Sequence, residues 1–136
     1  MTVSSSTFAI STPVRGTSVK QDVLDVARFF DLPPTGQLMV ELTRTSSKTL
    51  DRAIKDDPVE YRAHLRVVAD FVREARTYLF GVSSWDDWTD QDQIDMRAWL
   101  DNGQISLDGR VHSPHQVLAD ERLARRALGE LLRVTQ

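Results

Sequence analysis

The sequence predicts a mainly α-helical protein, and three observations carry that prediction. Apolar residues recur at spacings of three and four along most of the chain, most clearly at Leu65, Val68, Val72, Ala75 and Leu79. Residues that start or stop helices punctuate these runs, from Ser18 and Pro33-Pro34 to Asn102-Gly103 and Asp120. Only Ile105 to Val111 alternates with a strand's period of two. The chain has 136 residues, 40% of them hydrophobic and 27% charged, which is enough apolar material for one core.

Each element follows from local chemistry. The first 17 residues, rich in Ser and Thr, read as a flexible arm in which Phe8-Ala9-Ile10 can dock. Ser18 with Gln21 makes a capping-box pattern for a helix whose apolar face (Val23, Leu24, Val26, Ala27, Phe30) ends before Pro33-Pro34. Thr35 is placed to cap a second helix with Leu38, Met39 and Leu42 inward, and Ser46 a third that runs to Ile54. Asp57, Pro58 and Glu60 occupy N-cap, N1 and N3 positions for a long helix through Tyr61 and Leu65, closed by Gly81. Phe71 and Tyr78 form a second ridge on that helix and point to pairing with another copy. Thr89 starts a helix through Ile94, Ala98, Trp99 and Leu100. Asp108-Gly109 closes either a small type I′ hairpin or a plain turn. Ser113-Pro114 opens a short helix to Ala119, and Asp120 caps a last one to about Val134, with Leu123, Ala127, Leu128, Leu131 and Val134 as its stripe.

Charge and composition exclude several classes. No apolar run approaches the roughly 20 residues that span a bilayer. The first residues lack the layout of a secretory signal, so a cytoplasmic location is expected. Without cysteine there are no disulfides and no thiolate metal sites. The net charge of −3 gives no global pull on nucleic acid, so such a role needs a local patch. Residues 44–76 supply one, with eight bases against six acids, whereas residues 77–109 set seven aspartates against Arg97 alone. No Ser-His-Asp spacing or Gly-rich phosphate loop is present, and a non-enzyme without cofactor is expected. His112 and His115 flank Pro114, which breaks the one-face geometry of a helical metal pair, and no metal site is expected. Trp85-Asp86-Asp87-Trp88 lacks the Gly and closing Glu of a calcium loop; its tryptophans either anchor a partner or, the favoured reading, fasten the linker to the body.

Residues 35–54 fit a helix–turn–helix: an apolar first helix, a tight turn, a capped second helix and a polar outer face. Leu38, Leu42, Leu50 and Ala53 face the core in this reading. Ser46, Ser47, Lys48, Asp51, Arg52 and Lys55 form the outer face that meets DNA. The segment resembles that of Xre-type regulators, with Val40 where a small residue is usual and Arg44 where the turn usually has Gly.

Downstream come Trp99-Leu100, then Leu107-Asp108-Gly109-Arg110, then Pro114 to Asp120 (P-x-x-V-L-A-D) and a closing amphipathic helix. In this order the chain resembles the Xre/ParS-like antitoxin family over about residues 20–134. The resemblance implies a helix–turn–helix-like domain over 18–81 and a small helical toxin-binding region over 82–136. It also implies an antitoxin that neutralises a protein toxin, commonly an NAD-degrading RES-domain enzyme, and binds its own promoter; a homodimer is expected from the second ridge of the long helix and from operator reading. The partner surface is then expected at Trp99, Arg110, His115, Arg122, Arg125, Arg126 and Arg133, the arginines pairing with carboxylates. Two rival readings are a helix–turn–helix regulator without a toxin, and a helical protein–protein adaptor that binds no DNA.

Overall fold

The structure is a computed structural model that describes residues 18–60 and 62–135. The expected arm, Tyr61 and Gln136 lie outside the described residues. The fold is mainly α: α1 (Val19–Phe30), α2 (Gln37–Thr43), α3 (Ser47–Ile54), α4 (Ala63–Phe80), α5 (Asp90–Asn102), β1 (Ile105–Leu107), β2 (Arg110–His112), α6 (Pro114–Ala119) and α7 (Glu121–Thr135), with a 3₁₀ turn at Trp85–Asp87. No helix among the described residues is long and apolar enough to cross a membrane.

Capping chemistry sets most boundaries. The Ser18 side chain accepts the Gln21 amide, and Asp31 ends α1 in the left-handed region at φ 54°. Thr89 with Asp92 and Ser113 with Gln116 make reciprocal capping boxes at α5 and α6, and Pro114 takes the first helical position of α6. Asp120 Oδ1 accepts the Leu123 amide at 2.9 Å and starts α7. Asp108 and Gly109 both take positive φ (55° and 78°), as a type I′ turn requires, and join β1 to β2 antiparallel with Leu107 opposite Arg110.

Two predicted starts are wrong. Gly36, not Thr35, is the N-cap of α2, and the Thr35 carbonyl instead accepts the Ser47 hydroxyl at 2.9 Å. The long helix begins at Ala63, with Arg62 as an N-cap that lacks a side-chain bond, rather than after Asp57. The Arg52 guanidinium donates to the Pro58 carbonyl at 2.6 Å, an oxygen that a helix starting at Pro58 would use internally. Val59 packs partly buried against the core, and residues 57–60 are outside any helix. The good cap sequence therefore serves a connection.

One apolar cluster runs from Val23 in α1 to Ala127 in α7 and draws on both halves of the chain. Helix α1 lies against α3, α4 and α5, and α4 packs on its other side against α7. Phe29 and Phe30 are fully buried, and Trp88 stacks on Phe29 with ring centroids 5.1 Å apart. Burying side chains of this size contributes about 1.5–3 kcal/mol each. The Trp85 indole N–H donates to Asp25 at 2.7 Å, so both tryptophans do fasten the linker to the body. Three predicted placements change: Phe71 is buried, whereas Leu79 and Val134 are about half exposed; in α5, Met96 and Leu100 face inward and Ile94 is exposed.

A buried ionic staple fixes α1 on α4. Asp22, fully buried, receives Arg66 at 3.0 Å and Arg73 at 2.6 Å, and Arg73 also donates to Asp25 at 2.8 Å. Burial pushes the Asp22 carboxyl up, against the pull of Arg73 and Arg66. Burial pulls the Arg73 guanidinium down, but its bonds to both aspartates outweigh this and hold it above its usual value.

Candidate functional site

Two surfaces carry the side chains singled out from the sequence, and a polar clamp joins them. The first is the outer face of α3. Helices α2 and α3 are joined by the three residues 44–46, and Arg44 adopts the left-handed conformation (φ 52°, ψ 41°) that ends α2. This is the turn position where glycine was the expected residue. Arg44 bears the strain because its side chain is held beyond the turn. Its guanidinium donates to the Ala119 carbonyl at 3.2 Å and pairs with Glu121 at 3.2 Å. Thr43 and Thr45 sit buried beneath, bonded to the Met39 and Thr43 carbonyls, so the turn is locked from within.

The six residues expected to meet DNA share this face, but most are already occupied. The Ser46 side chain caps α3 by accepting the Thr49 amide at 3.2 Å. Ser47 is bonded to Thr35, and Arg52 to Pro58. Lys55 pairs with Asp51 at 3.0 Å, and that carboxylate, through its hydrogen bond first and its charge second, holds the ammonium above its usual value. Lys48 is exposed and makes no hydrogen bond or ion pair among the described residues. Glu41, Asp56 and Asp57 lie nearby and exposed. Among the described residues the face offers Lys48 as its unengaged cation.

The clamp ties α2 to the corner between α6 and α7. His64, at the start of α4, is buried with its Nε2 at 3.0 Å from the Leu42 carbonyl and 2.7 Å from the Leu118 carbonyl. Both partners are acceptors, so the hydrogen sits on Nε2, and buried Nδ1 has no partner. His115 Nε2 lies 2.9 Å from Glu41. Together with Arg44 these contacts line one side of a cleft of about 580 Å³ between the turn, Arg62 and Glu121. His64 is a functional candidate that the sequence pattern does not single out, although a histidine directly before Leu65 on an apolar helix is a usable signal.

The second surface is α7 with the hairpin. Arg122 and Arg125 are exposed, and their guanidiniums make no hydrogen bond or ion pair among the described residues. Arg126 pairs with Asp108 of the hairpin turn, and Arg133 with Glu130 at 2.6 Å. Arg110 is exposed at the start of β2. Trp99 belongs to a different environment: it is half-buried, and its indole lies where a side chain at Gly103 would have to go. His115 is engaged with α2. The expected partner set is therefore split, with the four α7 arginines and Arg110 outside and Trp99 and His115 doing internal work.

Between α4, β1 and α7 runs an apolar groove of about 270 Å³, bordered by Tyr78, Leu79, Trp99, Leu131 and Val134. Tyr78, Leu79 and Val134 are each about half exposed. Among the described residues no group of three or more His, Asp or Glu side chains could hold a metal ion. No family model, curated protein or solved structure matches the chain.

Proposed function

We propose that this chain is an antitoxin-type regulator, with α3 addressing DNA and α7 binding a protein partner whose toxicity it suppresses. One observation carries the reading: the α2–α3 turn takes the left-handed step of a helix–turn–helix at Arg44, and the same side chain grips the α6–α7 corner. The turn and the partner face thus share a residue, as a protein that binds both would need. In this proposal Lys48 reaches a base or phosphate first. Arg52 exchanges the Pro58 carbonyl for a guanine edge, and Ser46 and Ser47 approach the backbone. Two copies, each presenting one α3, read a two-fold operator, and the exposed Tyr78 and Leu79 offer apolar surface for pairing. The buried state of Phe71 leaves that pairing to the groove rather than to a ridge on α4.

Gel shifts on the chain's own upstream DNA test the first half. Arg52→Ala is expected to weaken specific binding by about 1–3 kcal/mol, and sedimentation is expected to find a dimer at micromolar concentration. Identical shifts by wild type and Lys48→Ala/Arg52→Ala make the motif scaffold. For the second half, Arg125→Glu/Arg126→Glu is expected to keep wild-type helicity, with melting lowered only by loss of the exposed Arg126–Asp108 pair (about 1 kcal/mol or less), while losing rescue of cells that express the toxic product of an adjacent reading frame. Full rescue removes these arginines from the interface. The adaptor reading, without DNA, is favoured by the internal engagement of Arg52 and Lys55, and the gel shifts decide between the two.

A further inference from the structure

Gly129 is the one residue of α7 that the fold does not explain. It sits in the interior of a 15-residue helix, on the exposed side, and a Cβ built there meets nothing within 4 Å. Its conformation is helical, so no turn or positive φ calls for glycine. In the folded chain alone, alanine would fit and would favour the helix. Helical spacing places Arg125 and Arg126 one turn before Gly129 and Arg133 one turn after it, with Arg122 a further turn back. The result is a bare strip of helix backbone framed by cations, two of which (Arg122 and Arg125) make no side-chain hydrogen bond or ion pair among the described residues.

From this we infer that Gly129 is the crossing point for an acidic segment of a partner protein, whose backbone lies against α7 while its carboxylates reach Arg122, Arg125 and Arg133. The inference rests on the partner-binding reading of α7 given above. The distance between packed helices is set by the side chains at their contact, and a glycine lets the partner come closer than any other residue. Arginine's forked donors then match carboxylates two at a time. A second copy of this chain is a poor occupant, because two such faces would set their arginines against each other, and the nearby acids Asp108 and Glu130 are already engaged with Arg126 and Arg133. A nucleic-acid backbone is a poor one too, since phosphates are met by the ends of long side chains and gain nothing from an exposed helix backbone.

The test uses the full chain and a fluorescent helix-forming peptide with glutamates along one face. A lysine counterpart and a short random-sequence DNA duplex serve as the comparison probes. The glutamate peptide is expected to bind, the lysine peptide not to, and Gly129→Leu to weaken binding at least about tenfold. Gly129→Ala is expected to raise Tm while lowering affinity, a combination that a purely structural glycine would not give. A lower Tm for Gly129→Ala, equal peptide binding by wild type and Gly129→Leu, preference for the duplex, or no binding of the glutamate peptide each overturns the inference. The Arg125→Glu/Arg126→Glu rescue assay is separate: full rescue by that variant removes these arginines from the toxin-binding reading, whereas normal rescue by Gly129→Leu removes the crossing point alone.

Discussion

Asp22 shows what a single buried charge does here. It is fully enclosed and has two guanidinium partners, themselves about one-fifth exposed at their side chains. Asp22→Ala leaves Arg66 and Arg73 facing a vacated site, and a loss of about 3 kcal/mol in urea unfolding is expected; a change below 1 kcal/mol would mean water already compensates the pair. Gly103 carries a steric demand instead. A Cβ there would lie 2.5 Å from the Trp99 carbonyl and 2.7 Å from its indole nitrogen, so Gly103→Ala is expected to cost about 1–3 kcal/mol. Unchanged melting would show that Trp99 turns aside freely. Asp120 sets the sign of a pH effect. The Leu123 amide, first among its partners, holds this exposed carboxyl below its usual value. Its contribution is complete above the unfolded value of about 3.9 and is lost as pH falls through the lower folded one. Asp120→Asn keeps an acceptor without the charge, so its melting temperature is expected to trail wild type at pH 6 and to close the gap near pH 3. A gap that stays constant over that range assigns the acid sensitivity elsewhere.

At the level of elements, real and apparent caps can be told apart by substitution. Thr89→Ala and Ser113→Ala each break a reciprocal capping box and are expected to cost about 1 kcal/mol. Asp57→Ala is expected to change stability by less than about 0.5 kcal/mol, because α4 begins at Ala63 and Asp57 caps nothing. An Asp57→Ala loss equal to that of Thr89→Ala would contradict the observed start. The contrast also explains how much was legible in advance. The starts of α1, α3, α5, α6 and α7 depend on residues near in sequence and were readable, and at Asp108-Gly109 the structure selects the hairpin over the plain turn. The start of α4 was not, because the Arg52 bond to the Pro58 carbonyl and the packing of Val59 are tertiary contacts that override a strong local signal. The outer face of α3 was placed correctly, and Asp51 with Lys55 is an i,i+4 pair legible in the sequence, whereas the bonds of Arg52 to the Pro58 carbonyl and of Ser47 to the Thr35 carbonyl depend on the fold. Arg44 is the converse case: a residue that fitted its turn poorly by type is held there by Ala119 and Glu121, 75 and 77 positions away.

For the whole molecule, the shared core decides whether the two halves are independent. Phe29 and Phe30 of α1 lie in one cluster with Trp88, Leu100, Val117 and Leu118 from beyond Gly81, and His64 bonds to carbonyls on both sides of that boundary. Large buried side chains cannot lose those neighbours without exposing apolar surface. Unfolding in urea is therefore expected to be a single cooperative transition. It can be followed independently by tryptophan fluorescence, which reports Trp85, Trp88 and Trp99 in the C-terminal half, and by far-UV circular dichroism, which weights α1 to α4 as well. Coincident curves are the signature of one unit. If the fluorescence transition instead precedes the helical one, with a plateau between, the halves fold separately. The link from the α2–α3 turn through Arg44 and His64 to the α7 face would then be too weak to couple DNA to a protein partner. A chain ending at Gly81 gives the complementary result: without the residues that cover Phe29 and Phe30 it is expected to lose cooperative melting, and a sharply melting fragment would make α1–α4 a domain in its own right.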